Sequence, residues 1–319
     1  MDLRASTDAI RGLVENVERV ITGKRTAVEL AAVSFFADLH LLIDDVPGVG
    51  KTMLARAVAR SIDGTFKRVQ ATADLLPGDI TGSTVYEQSS GAFHFVPGPV
   101  FANVVLVDEI NRATPKAQSA LMEVMEEQSV TVDGVLHEVP EPFYVVATRN
   151  PVEHHGTFPL PEGELDRFGL SIGLGYPDAR AERSVIVSQM DHHPIDTLEP
   201  VLSASDVTAH REAVRSVHVE ESVLDYLLAI VRATREHPEI ALGASPRGSL
   251  ALTRAAQSYA VLRGRDYVLP DDVKLMAPAA LGHRLVLTSD RSAERTAGEA
   301  IIETILARTP APVALGPSA

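Results

Sequence analysis

Cysteine and tryptophan are both missing from the 319 residues. Without cysteine there can be no disulfide, no thiolate or iron–sulfur ligation and no thiol nucleophile. A reducing compartment suits such a chain, and a cytoplasmic location is the expectation. Positive charge is scarce too: 29 Lys plus Arg stand against 43 Asp plus Glu, a formal net charge of −14. Only Lys24, Lys51, Lys67, Lys116 and Lys274 are lysines, so most cations are arginines. Duplex DNA and anionic membranes reward dense positive surface, so nucleic acid is an unfavoured main partner. Long apolar runs are also lacking. The most apolar stretch, residues 30–43, is broken by Asp38 and His40 and falls short of the roughly 20 residues a membrane span needs. Residues 1–15 are mixed and charged, with no apolar centre for an export signal. A 45% hydrophobic, 23% charged composition leaves a globular chain of one large domain or two ordinary ones.

The first half alternates two patterns. Residues 29–36, 52–61 (Leu54, Val58 and Ile62 at helical spacing) and 116–128 (Ala117, Leu121, Val124 and Met125 on one side) predict helices. Residues 39–43, 104–107 and 143–147 are short apolar runs, the pattern of strands covered on both faces. Strands alternating with helices of this length imply a parallel α/β sheet. Two hairpins interrupt the alternation. Residues 129–132 and 135–139 flank Asp133-Gly134, which supplies the positive φ angles of a tight turn, and residues 85–86 and 93–95 flank Ser89-Ser90-Gly91. After Tyr176-Pro177 the character changes, and from about residue 200 only helical patterns appear. Val223, Leu227, Ile230 and Val231 form one stripe, Ala251, Ala255, Tyr259 and Leu262 a second, and residues 271–276 a third. The division expected is 1–177 for an α/β core with two hairpin inserts and 178–308 for a helical region. Residues 178–200 would be a connecting helix and linker, and 309–319, with three prolines, a disordered tail.

The chemistry-bearing motifs sit at the ends of the predicted strands. Leu42-Ile43-Asp44-Asp45-Val46-Pro47-Gly48-Val49-Gly50-Lys51-Thr52 follows one strand and opens a helix, the context of a phosphate-binding loop. Small glycines let backbone N–H groups wrap a phosphate, and a helix N-terminus adds partial positive charge. Pro47, Gly48, Val49 and Gly50 would make the turn, with Met53 in the helix behind it. Lys51 would reach the β- and γ-phosphates, and the Thr52 hydroxyl would ligate Mg²⁺. Asp45 stands where the general pattern begins with Gly. Val104-Val105-Leu106-Val107 runs into Asp108-Glu109. Asp108 is placed to hold Mg²⁺ through its water shell, and Glu109 to polarise an attacking water as general base. A third strand ends in Thr148-Arg149-Asn150-Pro151, where Asn150 can donate to a γ-phosphate.

Two arginines stand out from the rest. Ser245 is a natural N-cap and Pro246 a natural first helical residue, which leaves Arg247 in a first turn. The helix dipole disfavours a cation there unless an anion sits opposite. For Leu165-Asp166-Arg167-Phe168 the residues alone do not separate a role for Arg167 from an ordinary surface arginine. His154-His155 and Asp191-His192-His193 have no further ligands of matching spacing, so a structural metal is not expected. No Gly-x-Ser-x-Gly elbow is present, which disfavours serine-hydrolase chemistry.

Together these runs resemble the MoxR family of AAA+ ATPases. The phosphate loop, Asp74-Leu75-Leu76-Pro77-Gly78-Asp79-Ile80-Thr81-Gly82, Pro97-Gly98-Pro99-Val100-Phe101-Ala102-Asn103, Asp108-Glu109-Ile110-Asn111-Arg112-Ala113, Ala147-Thr148-Arg149-Asn150-Pro151, Gly156-Thr157-Phe158-Pro159-Leu160-Pro161-Glu162 and Leu165-Asp166-Arg167-Phe168 carry the likeness, over about residues 15–290. The resemblance implies a P-loop αβα core with a parallel sheet, followed by an all-helical C-terminal lid. It also implies a homo-oligomeric ring, usually hexameric, with ATP and Mg²⁺ bound between subunits. By that resemblance Asn150 is the sensor-1 residue, Arg167 the arginine finger offered to the neighbour's nucleotide and Arg247 the sensor-2 residue. Val20, Ile21 and Gly23, in Val20-Ile21-Thr22-Gly23-Lys24, would line the adenine. The two hairpins correspond to the inserts that face the pore or the partner in this clade. Arg149 stands where the family pattern suggests Gln.

The implied function is an ATP-driven chaperone or remodelling motor that matures, activates or inserts metal into client protein complexes. It would act with a partner carrying a von Willebrand factor A domain. The alternatives are the ATPase subunit of a magnesium or cobalt chelatase, an ATP-gated nucleic-acid motor, and a nucleotide-dependent scaffold without turnover. Net charge disfavours the nucleic-acid motor. The intact Asp108-Glu109 pair and Arg167 disfavour the scaffold, and the run at 156–168 favours the chaperone over the chelatase.

Overall fold

A computed structural model of the chain describes residues 3–150, 156–188, 190, 193–288 and 295–312. The elements of the first half are α1 (Leu3–Glu18), α2 (Arg25–Phe36), β1 (Leu41–Asp44), α3 (Lys51–Ser61), β2 (Phe66–Gln70), α4 (Pro77–Thr81), β3 (Gly82–Glu87), β4 (Ala92–Pro97), β5 (Val104–Asp108), α5 (Pro115–Glu127), β6 (Ser129–Val132), β7 (Val135–Glu138), β8 (Tyr144–Arg149), α6 (Glu162–Leu165) and β9 (Leu170–Ile172). The second half holds α7 (Ala179–Ser188), α8 (Ala204–Arg215), α9 (Glu221–Glu236), β10 (Ile240–Leu242), α10 (Pro246–Leu262), α11 (Pro270–Leu281), β11 (Val286–Leu287) and α12 (Arg295–Arg308).

Five strands form one parallel sheet in the order β2-β5-β8-β1-β9. Its central strands alternate strictly between two apolar layers, as a two-residue side-chain period requires. Leu41, Ile43, Val104, Leu106, Tyr144 and Val146 point into one layer with α1, α2 and α3. Leu42, Val105, Val107, Val145 and Ala147 point into the other, with α5. Burial on both faces explains why β1, β5 and β8 read as apolar runs. The edge strands do not: β2 buries only Val69, and β9 is three residues long, so neither was expected from the sequence.

The first apolar layer continues into the helical half. Phe35 and Phe36 of α2 share a core with Leu252, Ala255 and Ala256 of α10. Buried Arg211 of α8 donates to the Phe35 carbonyl at 3.1 Å and pairs with Asp38 at 2.6 Å. α1 is held from the same side. Thr7 Oγ1 donates to the Val261 carbonyl at 2.9 Å, Arg11 Nε to Leu262 at 3.0 Å, and Ser6 Oγ lies 3.0 Å from His210 Nδ1. Of the expected stripes, Val223, Leu227, Ile230 and Val231 on α9 and Ala251, Ala255 and Leu262 on α10 are buried, while Tyr259 is half-buried against the core. The helical half also carries a two-stranded antiparallel ribbon, β10–β11, that a reading of helical patterns alone did not contain. Strands of two and three residues are too short to leave a periodicity in the sequence.

Both expected hairpins are present. β6 and β7 turn at Asp133 (φ 50°) and Gly134 (φ 79°), the paired positive angles that make Asp-Gly a turn signal. β3 and β4 pair from Gly82–Pro97 to Glu87–Ala92. The hairpins brace each other, with Phe95 stacked on His137 at 4.1 Å and Thr84 Oγ1 donating to Asp133 at 2.5 Å. Their outer surfaces leave Tyr86, Phe93, Val135 and Leu136 exposed. His154-His155, Asp191-His192 and residues 313–319 of the expected tail lie outside the described residues. Among the described residues no cluster of acidic and histidine side chains is arranged to hold a metal, and no helix is long and apolar enough to cross a membrane.

Candidate functional site

The carboxyl ends of β1, β8 and β5, three adjacent strands, converge on a cleft of about 330 Å³. Clefts at that end of a parallel sheet are the usual ligand positions of the architecture. The loop after β1 crosses it. Gly48 (φ 83°) and Gly50 (φ 98°) adopt the left-handed region that favours glycine. A Cβ on Gly48 would meet nothing within 4 Å, so backbone angle rather than crowding selects glycine there. α3 starts at Lys51, so the unpaired N–H groups of its first turn lie at the loop. Lys51 Nζ donates to the Asp45 carbonyl at 2.8 Å. Burial pulls the Lys51 ammonium below its ordinary range, opposed by Asp45, Asp108, Asp44 and Glu109.

Pro47, Thr52, Met53, Asp108, Glu109 and Asn150 complete the cleft wall. Buried Asp108 accepts from Thr148 Oγ1 at 3.2 Å and from Arg68 Nε at 2.6 Å. Glu109 has a left-handed backbone (φ 56°), and its N–H donates to the same Thr148 hydroxyl at 2.9 Å. Its carboxylate accepts from Arg112 at 3.0 Å and Gln70 at 3.1 Å. Thr148 therefore fixes both acids at once. A hydroxyl and a carboxylate, Thr52 and Asp108, are the hard oxygen donors that Mg²⁺ takes alongside phosphate oxygens and water.

Several of these partners were not expected from the sequence. Arg68 and Gln70 come from β2, which has no apolar run to announce it. Asp45, a mere departure from the loop pattern in the sequence, accepts from Leu174 N–H at 2.6 Å and Gly175 N–H at 2.5 Å, and its other oxygen accepts from Val46 N–H at 2.7 Å. It ties the loop to the segment leaving β9. Arg149 pairs with buried Asp44 and is not on the cleft wall. Of the expected adenine-side residues, Ile21 is buried 3.7 Å from where a Gly50 Cβ would stand, and Val20 packs on the core, as does Val49 of the loop. Gly23 (φ 75°) lines a separate cavity of about 740 Å³ beneath α12.

Arg167 and Arg247 are not in the cleft. They share another cavity, of about 260 Å³, with Glu126. One Glu126 oxygen pairs with Arg167 at 2.9 Å and the other with Arg247. Ser245 caps α10 as expected, accepting from Arg247 N–H at 3.0 Å, and the anion that a first-turn arginine called for is Glu126. Buried Arg284 organises the loop that carries Arg167. It pairs with Asp166 at 2.9 Å and donates to the carbonyls of Asp166 (3.1 Å), Phe168 (2.7 Å) and Gly169 (3.0 Å). Burial pulls its guanidinium down to about 10 against the pull of Asp166, so it stays a cation at neutral pH. Removing one partner of a buried pair strands the other, so Arg284→Ala should cost about 3–5 kcal/mol. Urea unfolding measures this, and a midpoint equal to that of the unmutated chain would contradict it.

Comparison with known proteins gives a consistent set of matches. Residues 40–170 match the ATPase family associated with various cellular activities (AAA), and residues 232–305 match the AAA lid domain. The uncharacterized protein YeaC of Bacillus subtilis is 48% identical over 94% of this chain and 94% of its own. Chaperone MoxR1 of Mycobacterium tuberculosis is 41% identical over 95% of this chain and 82% of its own. The crystal structure of a putative ATPase from Cytophaga hutchinsonii superposes with a TM-score of 0.88 at 36% identity, covering 97% of this chain and 96% of that one.

Proposed function

The chain belongs to the MoxR family of AAA+ ATPases, and from that premise we propose that it hydrolyses ATP at the subunit interfaces of a ring to drive chaperone-like remodelling of client protein complexes. In this reading residues 1–177 form the nucleotide-binding core and residues 178–308 the lid. One observation carries it. Lys51, Thr52, Asp108, Glu109 and Asn150 meet in one cleft, whereas Arg167 and Arg247 stand in another cavity of the same subunit. A subunit so built holds the phosphate-binding half of a site and offers the cationic half to a neighbour.

The chemistry follows from the placement. Loop N–H groups and Lys51 bind the phosphates, and Asn150 donates to the γ-phosphate. Thr52 and Asp108 would hold Mg²⁺, which when bound neutralises charge on the β- and γ-oxygens. Arg68 donates to one Asp108 oxygen at 2.6 Å and Thr148 to the other at 3.2 Å, which orients the carboxylate at the cleft. Glu109 takes the proton of a water that attacks the γ-phosphorus, and ADP departs. Arg167 and Arg247 of the adjacent copy stabilise the transferring phosphoryl group. The exposed hairpin residues Tyr86, Phe93, Val135 and Leu136 supply an apolar surface for a client, or for a partner with a von Willebrand factor A domain.

Sedimentation velocity with ATPγS and Mg²⁺ tests the reading, and the expected product is a closed ring, a hexamer by family likeness. ATPase rate per subunit should rise with protein concentration as rings form. A dilute monomer that turns over ATP at the full rate would overturn the shared site.

A further inference from the structure

We propose that Glu126 is a placeholder for phosphate: its carboxylate occupies, in the separate subunit, the position between Arg167 and Arg247 that the terminal phosphate of a neighbour's nucleotide takes when the ring closes. This rests on the shared-site reading above and concerns a residue to which that reading gives no role.

Two arginines from distant parts of the chain converge on one carboxylate, each taking a different oxygen. The backbone that carries each arginine is held by contacts other than Glu126. Arg167 follows Asp166, which Arg284 and Ser245 hold at 2.9 and 2.7 Å. Arg247 is the second residue of α10, behind the Ser245 cap and Pro246. The pair therefore makes a preset anion receptor, and Glu126 reaches it from the last turn of a third element, α5. Arg247 also gains a reason for its position: a cation in a first helical turn is unfavourable by itself and favourable with an anion bound.

Exchange of one anion for another is feasible here because the group is not sealed. The side chains of Glu126, Arg167 and Arg247 keep 39%, 29% and 46% of their exposure, and ion pairs at such sites are weak enough to trade partners. A terminal phosphate carries more charge and more acceptor oxygens than a carboxylate, so it competes well for two guanidinium groups. It cannot share the position with Glu126, because like charges repel at that distance. Ring closure on ATP therefore expels the carboxylate. Without nucleotide, Glu126 screens the two arginines from each other and from stray anions.

The test is assembly of the full chain carrying Glu126→Gln, followed by sedimentation velocity with ATPγS and Mg²⁺, with ADP and without nucleotide. Gln keeps the size and the acceptor oxygen but removes the charge to be expelled. The variant should form rings with ATPγS at a roughly fivefold lower subunit concentration than the unmutated chain. With ADP, which has no γ-phosphate, the difference should shrink, and without nucleotide it should vanish. A purely structural brace would do the reverse and make assembly of the variant weaker. Unchanged or weakened assembly of the variant, beside normal rings of the unmutated chain, overturns the placeholder alone. An unmutated chain that stays monomeric with ATPγS removes the shared site and the placeholder together.

Discussion

Glu109→Gln is expected to stop ATP turnover while leaving nucleotide binding and ring assembly intact. Gln fills the same space and retains an acceptor for Arg112, which now donates to the Glu109 carboxylate at 3.0 Å. The Thr148 contact is made by the backbone N–H and does not depend on the side chain. What is lost is the base, a loss worth about 10²- to 10⁴-fold in rate. Phosphate release at saturating ATP measures the effect, and binding of a fluorescent ATP analogue checks that the cleft survives. Hydrolysis within a few-fold of the unmutated rate would remove Glu109 from the site. The same variant holds ATP and so serves as a trap for partners. Recovery of a protein with a von Willebrand factor A domain would support the chaperone reading. A porphyrin- or corrin-binding large subunit would shift it to a chelatase.

Arg167→Ala should be as damaging, about 10³-fold or more in turnover, because a finger arginine stabilises charge that appears only in the transition state. Lys51→Ala, which empties the phosphate loop, should be comparably inactive by itself. Mixed, the two should partly rescue each other. An interface that joins the intact loop of one subunit to the intact Arg167 of the next is complete, and in random equal mixtures about one interface in four is of that kind. Activity well above the sum of the separate variants is the expected outcome. No rescue in rings shown to contain both chains would place Arg167 in the site of its own subunit.

That the residues of the candidate cleft would come together was legible because its parts sit at fixed places on buried strands. β1, β5 and β8 are apolar until their last one or two residues, so the polar residues at and beyond their ends, from Asp45 to Thr52, Asp108-Glu109 and Asn150, stand out against them. Arg68 and Gln70 were illegible for the opposite reason, since β2 alternates exposed polar residues around a single buried Val69. α5 was read from its apolar face, and Glu126 lies on the other face, where an acidic residue is ordinary. The one hint was Arg247, whose first-turn position asked for an anion without saying which. Arg284 left no hint at all. It sits in a three-residue turn, and its carbonyl partners on Phe168 and Gly169 are more than a hundred residues away in the chain.

α1 makes chain order and spatial order disagree. It is synthesised long before its partners: Thr7 and Arg11 end on the carbonyls of Val261 and Leu262, 254 and 251 residues later. At synthesis rates of roughly 5–20 residues per second, α1 waits on the order of 10–50 s for those partners. Its apolar face can settle meanwhile on α2 and α3, with Ile10, Leu13, Val14 and Val17 turned into the layer those helices share. The contacts that tie it down, however, belong to the end of α10. A nascent chain released after β9 would carry every cleft residue from Lys51 to Asn150 and still lack the final seat of its first helix. Synthesis thus completes the wall of the cleft long before the two carbonyls that seat α1.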